Sequence, residues 1–168
     1  MKQLSKVVLA LSFILFTSSA YAEMAKEGSG SYRGAKSGTL KIITFEKGHI
    51  HANFDEAGVI VEAPEDSPFF NASFHSLGTF TSNQGATEGS GGIKFTRPNG
   101  DTFYGTFNFG GKYQRGPTSG IVKIIGGTGE CSGMQGEIEL LPRPKVTTST
   151  GAGTYQNMAI ANISWKIP

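Results

Sequence analysis

The sequence predicts an all-β protein: one eight-stranded antiparallel up-and-down barrel. Three observations carry this. Short runs rich in β-branched and aromatic residues alternate apolar with polar at a period of two. No window of helical length shows apolar residues at i, i+3, i+4 and i+7. All 24 glycines lie beyond position 22 and follow no strict period. They fall between the β-like runs, where turns, bulges and barrel corners need them. Closing such strands into a barrel removes exposed edges. A two-sheet sandwich is the alternative arrangement.

Residues 1–22 read as a cleavable signal peptide. Lys2 and Lys6 form a positive start, residues 7–16 (VVLALSFILF) an apolar run, and Ala20-Tyr21-Ala22 a small-x-small cleavage pattern. That run is too short to cross a hydrocarbon core of about 30 Å. The expected location is secreted or periplasmic, with no integral membrane segment after cleavage. The two leader lysines also account for the net charge of +2. The rest of the chain is neutral, so no clustered basic surface for nucleic acid is expected. Cys131 is the single cysteine and cannot form an internal disulfide. It reads as a small buried filler, with a reactive thiol as the sharper alternative.

Residues 23–37 are polar and Gly/Ser-rich and read as a flexible N-terminal arm anchored by Tyr32. The barrel domain is expected over 38–168. Its first strand is 39–46 (TLKIITFE), ending at Lys47-Gly48. Residues 49–54 follow, with Ile50, Ala52 and Phe54 on one face. Asp55-Glu56-Ala57-Gly58 reads as a turn, and 59–62 as a short strand or a continuation. A proline-flanked loop spans 63–68. Residues 69–80 form a long strand with Phe70, Ala72, Phe74 and Ser76 on one face, and 81–91 a Gly/Ser-rich loop. Residues 92–97 and 102–109 form a hairpin around Pro98-Asn99-Gly100-Asp101, since Asn-Gly is the strongest short hairpin signal. Strands over 118–125 and 135–141 follow, the latter stopped by Pro142 and Pro144. The last strand, 155–167, puts Tyr155, Asn157, Ala159, Ala161, Ile163, Trp165 and Ile167 on one face.

The most distinctive stretch is Gly126-Gly127-Thr128-Gly129-Glu130-Cys131-Ser132-Gly133-Met134-Gln135-Gly136. It lacks the Gly-Lys-Ser/Thr of a P-loop. It also lacks the spacing and following helix of a dinucleotide fingerprint. No cofactor is therefore implied. It reads as a corner between two strands, built on Gly126, Gly127, Gly129, Gly133 and Gly136. The pattern Gly-Gly-Thr-Gly-x-x-x-Gly-x-x-Gly after a β-branched strand resembles dirigent proteins and allene oxide cyclase-type barrels. The Phe/Tyr-rich hairpin before it fits that layout. The resemblance extends over about 37–167, with its specific signal at 126–136. It implies an eight-stranded barrel with an apolar cavity, oligomers such as trimers or dimers, and cofactor-free cyclisation or coupling of apolar molecules. No catalytic residue carries across, and the glycines carry over only as structure.

Phe74, Phe103, Phe107, Phe109 and Trp165 fall on inward-reading faces. They fit a filled core or the wall of an apolar cavity. Tyr104 and His75 then lie near the mouth or outside. His49 and His51 share a strand face and are candidate metal ligands. Their face is opposite the apolar one, which favours a solvated outer surface and no metal. Glu46 is the nearest candidate for a catalytic carboxylate, sharing parity with Leu40, Ile42 and Thr44.

Three functions fit: an exported barrel binding a small apolar ligand, a cofactor-free cyclase or isomerase, and a structural oligomer of the envelope. The cyclase would need a carboxylate or Tyr pointing into the cavity. No acid reads on an apolar strand face, which favours the binding protein.

Overall fold

The computed structural model describes residues 23–112, 119–141, 148–151 and 153–168. The signal peptide expected over 1–22, the first residue of the expected 118–125 strand, and Pro142 and Pro144 lie outside them. Among the described residues nine strands form one sheet. They are β1 (Glu27–Glu46), β2 (His49–Glu62), β3 (Ser73–Asn83), β4 (Ala86–Thr96), β5 (Thr102–Lys112), β6 (Ser119–Gly127), β7 (Gln135–Leu140), β8 (Thr148–Gly151) and β9 (Thr154–Lys166). Every pairing is antiparallel, and consecutive strands pair from β1 to β7. β9 pairs with β7 on one edge and with β1 on the other, which closes an eight-stranded barrel. The short β8 extends the β7 edge along the start of β9.

Several boundaries differ from the sequence reading. The arm expected over 23–37 is largely strand: β1 starts at Glu27 and pairs with β9 from Glu27 to Thr39. Its Gly/Ser content reads as loop, yet its inward residues, Tyr32, Gly34 and Lys36, follow the strand alternation. The turn expected at Asp55-Glu56-Ala57-Gly58 is continuous β2, held by β1 on one side and β3 on the other. The loop expected over 81–91 is a hairpin. β3 runs to Asn83 and β4 starts at Ala86, with Gln84 and Gly85 both at positive φ.

The position of the glycines is the larger correction. Many sit inside strands on the inward face, where an aromatic ring from a neighbouring strand covers each one. A Cβ at Gly58 would meet the ring of Phe74, at Gly78 that of Phe54, at Gly89 that of Phe109, and at Gly91 that of Phe107. Rings laid over bare backbone fill a narrow barrel without spreading its strands. The high glycine and phenylalanine contents are thus one design.

The barrel is solid at one end. The β2–β3 connection folds inward through Ser67 N–H to the Pro64 carbonyl (3.0 Å) and Ala72 N–H to that of Phe69 (3.1 Å). This inserts Phe69, fully buried, among Tyr32, Phe95, Phe103 and Trp165. The sequence reading put Phe70, with Ala72 and Phe74, on the inward face. The turn buries Phe69 more deeply than Phe70, because β3 begins only at Ser73.

The glycine corner sits at the same end. Gly129 and Gly133 have positive φ, at 55° and 75°. A Cβ on Gly127 or Gly136 would strike neighbouring backbone, and one on Gly126 the Tyr104 ring. The corner makes a single 3-10 turn, Gly129–Cys131, not an α-helix. It is tied to the β4–β5 hairpin by Thr128 N–H to the Thr102 carbonyl (2.7 Å), Glu130 N–H to Asp101 (3.0 Å) and Arg97 to Glu130 (2.5 Å). Its role here is to cap the packed end with Cys131 and Met134, both fully buried.

Candidate ligand cavity

The other half of the barrel is hollow. A cavity of about 200 Å³ lies among the inward residues of β1, β2, β3, β4, β5, β6, β7 and β9. Its wall is mostly apolar: Leu40, Phe54, Phe74, Phe80, Phe107 and Phe109 contribute, with Val122 and Leu140. Of the five aromatics expected there, Phe74, Phe107 and Phe109 line it. Phe103 and Trp165 do not. Phe103 stacks on Phe95 with ring centroids 4.7 Å apart, and the Trp165 Nε1–H donates to the Ala25 carbonyl at 3.0 Å. Both belong to the solid end, because period two gives the face of a strand and not the depth along the barrel axis.

The largest polar cluster in this wall is centred on Glu56. Lys36 donates to Glu56 Oε2, Ser76 donates to the same oxygen at 3.3 Å, and the Tyr155 hydroxyl donates to Oε1. Lys36 and Glu56 are each more than nine-tenths buried. The ladder registers explain the convergence. Gly38 on β1 lies opposite Glu56 on β2 and opposite Tyr155 on β9, while Glu56 lies opposite Ser76 on β3. Those four positions form one layer across four strands. Gly38 has no side chain to separate Tyr155 from Glu56. A Cβ there would come within 2.8 Å of the Tyr155 hydroxyl oxygen. Lys36 reaches in from the adjacent inward position of β1.

A carboxylate taken out of water is tolerated only when its oxygens are satisfied and its charge is countered. Glu56 has both. It therefore serves as a fixed polar anchor in an otherwise greasy chamber. Asn157, one inward step from Tyr155 on β9, also lines the cavity. It is buried, and among the described residues its Oδ1 has no hydrogen-bond partner.

The sequence reading missed this cluster. It placed Tyr155 and Asn157 on the correct face but assigned Glu56 to a turn and Lys36 to an arm. The alternation Ala52, Phe54, Glu56 carried the signal for Glu56. The expectation that no acid lies on an apolar strand face is accordingly overturned. Glu46, the candidate named instead, is not in the cavity. It lies at the exposed tip of β1, where its Oε1 sits 3.8 Å from His49 Nδ1.

His49 and His51 have different neighbours. His51 Nδ1 lies 3.3 Å from Thr81 Oγ1, and no group of three or more His, Cys, Asp or Glu side chains converges among the described residues. His75 and Tyr104 lie outside the barrel, His75 with its Nε2 2.8 Å from Asp55 Oδ1.

Burial pushes the Cys131 thiol pKa up, against the opposing charge of nearby Arg97. The thiolate is the nucleophile, so the folded protein is expected to react poorly with iodoacetamide at pH 8. In denaturant the label should go on at the rate of a free cysteine. The raised value also carries a stability term. The folded state holds this proton more tightly than the unfolded one. The contribution is full below about pH 8.5 and is lost as pH rises through the folded pKa. Fast labelling of the native protein would refute this placement of the thiol.

Comparison of the chain with family models, with curated proteins and with solved structures gives no match.

Proposed function

We propose that this is an exported β-barrel protein that binds a small, largely apolar molecule in its cavity. The observation that carries this reading is the cavity of about 200 Å³, walled by aromatic and aliphatic side chains around one buried polar cluster. Binding sites for small molecules have this composition: apolar walls and few, fixed polar groups. The size sets a limit. An apolar cavity of about 150 Å³ takes up benzene, so the chamber suits a molecule of one ring with small substituents. The leader read over residues 1–22 supports export, and the neutral remainder argues against a polyanionic partner.

The test is direct. Titration of the ¹⁵N-labelled protein with benzene is expected to shift amide resonances of β1, β5 and β9 around the cavity. Ala159→Phe places a ring in that space and should abolish the shifts while leaving the protein folded. Unchanged binding in the filled variant would remove the cavity as the site. Native mass spectrometry of protein from its own host would report a retained molecule and the oligomeric state together.

One observation favours a second reading, a cofactor-free isomerase or cyclase. Glu56 and Tyr155 are a carboxylate and a phenol in contact on the cavity wall. Such pairs transfer protons without a cofactor. Glu56→Gln separates the two functions, since it should abolish turnover of a bound ligand and spare its binding.

A further inference from the structure

We infer that the ligand of this cavity is an uncharged alcohol of one-ring size, held with its hydroxyl against the Asn157 carboxamide. This rests on the proposed binding function and specifies its ligand.

Charge is the first constraint. Lys36 and Glu56 are the charged groups among the described lining residues, and they neutralise one another. Glu56 accepts from Lys36, Ser76 and Tyr155, so its oxygens are engaged. Among the described residues an entering carboxylate or ammonium would meet no spare counter-charge, and it would lose its hydration. The favoured ligand is neutral.

Asn157 supplies the second constraint. It faces the interior between Tyr155 and Ala159, opposite Lys36 of β1. The residue is more than nine-tenths buried, and among the described residues its Oδ1 lacks a partner. A carboxamide offers an acceptor and two donors. Leaving such a group unpaired in an apolar chamber is costly, and most buried polar atoms are paired. An alcohol donates and accepts about equally well, so it satisfies the amide in either orientation. A ketone or ether can only accept, and leaves Oδ1 unpaired. Apart from Thr87, whose hydroxyl donates to Ser82 Oγ at 3.2 Å, the remaining walls are aromatic and aliphatic, which suits the hydrocarbon part of the ligand.

The experiment compares four ligands of one shape: cyclohexanol, cyclohexane, cyclohexanecarboxylate and cyclohexylammonium. Binding is followed by amide shifts of the full-length mature protein. Cyclohexanol is expected to bind about tenfold more tightly than cyclohexane, and both ions more weakly than either. In Asn157→Leu the advantage of the alcohol should vanish, with cyclohexane affinity within about twofold of wild type. Nuclear Overhauser contacts from the carbinol proton of cyclohexanol to the Asn157 side-chain amide in the wild-type protein test the same point without a variant. Cyclohexane binding as tightly as cyclohexanol, or either ion binding best, would overturn the alcohol preference and leave the binding function standing. Failure of all four, together with failure of benzene, would remove both.

Discussion

Lys36→Met is expected to destabilise the fold by about 3–5 kcal/mol, the usual cost of removing one partner from a buried ion pair. The loss comes less from the missing attraction than from the charge left behind. Glu56 would keep Ser76 and Tyr155 as donors but would lose the Lys36 ammonium. The effect should therefore fall near the lower end of that range. The double variant Lys36→Met with Glu56→Leu is expected to regain most of the stability, since well-packed apolar replacements of buried pairs are often neutral or better. Urea unfolding of the wild type, the two single variants and the double variant gives the coupling directly. A loss under about 1 kcal/mol in Lys36→Met would mean that water in the cavity solvates the carboxylate, as at an exposed pair. The double variant should also lose the polar face of the chamber. Gain of stability with loss of ligand selectivity would mark the cluster as functional rather than structural.

Phe69→Ala should cost about 3–5 kcal/mol, as for other large-to-small changes at fully packed aromatic positions. Phe69 carries the inward turn into the ring cluster of Phe95, Phe103 and Trp165. Its removal leaves a hole that rigid strands on all sides cannot close. Phe80→Ala provides the contrast. Phe80 lies at the hollow end, partly exposed, and its ring contacts are the looser ones to Phe54 and Phe109, with centroids 6.5 and 6.4 Å apart. Truncation there enlarges a space that already exists and should cost about 1 kcal/mol. Equal losses at the two positions, measured by thermal or urea unfolding, would contradict the division of the barrel into a solid and a hollow half.

Much of the fold was legible because alternation is a local property. The last strand shows this best. Asn157, Ala159, Ala161, Ile163, Trp165 and Ile167 were assigned to one face and are all buried. The Asn99-Gly100 turn was equally direct. Gly100 takes a φ of 90°, which the turn needs and glycine tolerates. Where composition and alternation disagreed, composition misled. Asp55 to Gly58 has the residues of a turn, and Gly28 to Gly34 those of a loop. Both are strands: Asp55 to Gly58 is paired with β1 and β3, Gly28 to Gly34 is paired with β9 along its length, and Gly28 and Gly58 lie under the rings of Trp165 and Phe74. A glycine that turns a chain and a glycine that lies under a phenylalanine look alike in one dimension.

The sequence by itself determined the class of fold, the side of the sheet that most residues of β2, β5 and β9 occupy, and the apolar character of the interior. It could do so because strand periodicity is written in consecutive residues. The tertiary structure alone decided which inward residues meet. Tyr155 and Glu56 are 99 positions apart, and Lys36 and Ser76 each lie 20 from Glu56. Their meeting depends on the relative shift of four strands, set by turn lengths, by a bulge in the β1–β2 ladder and by the fit of rings over glycines. Depth along the barrel has the same origin. It separated Phe107 in the cavity wall from Phe103 in the solid end, though both lie on one face of one strand.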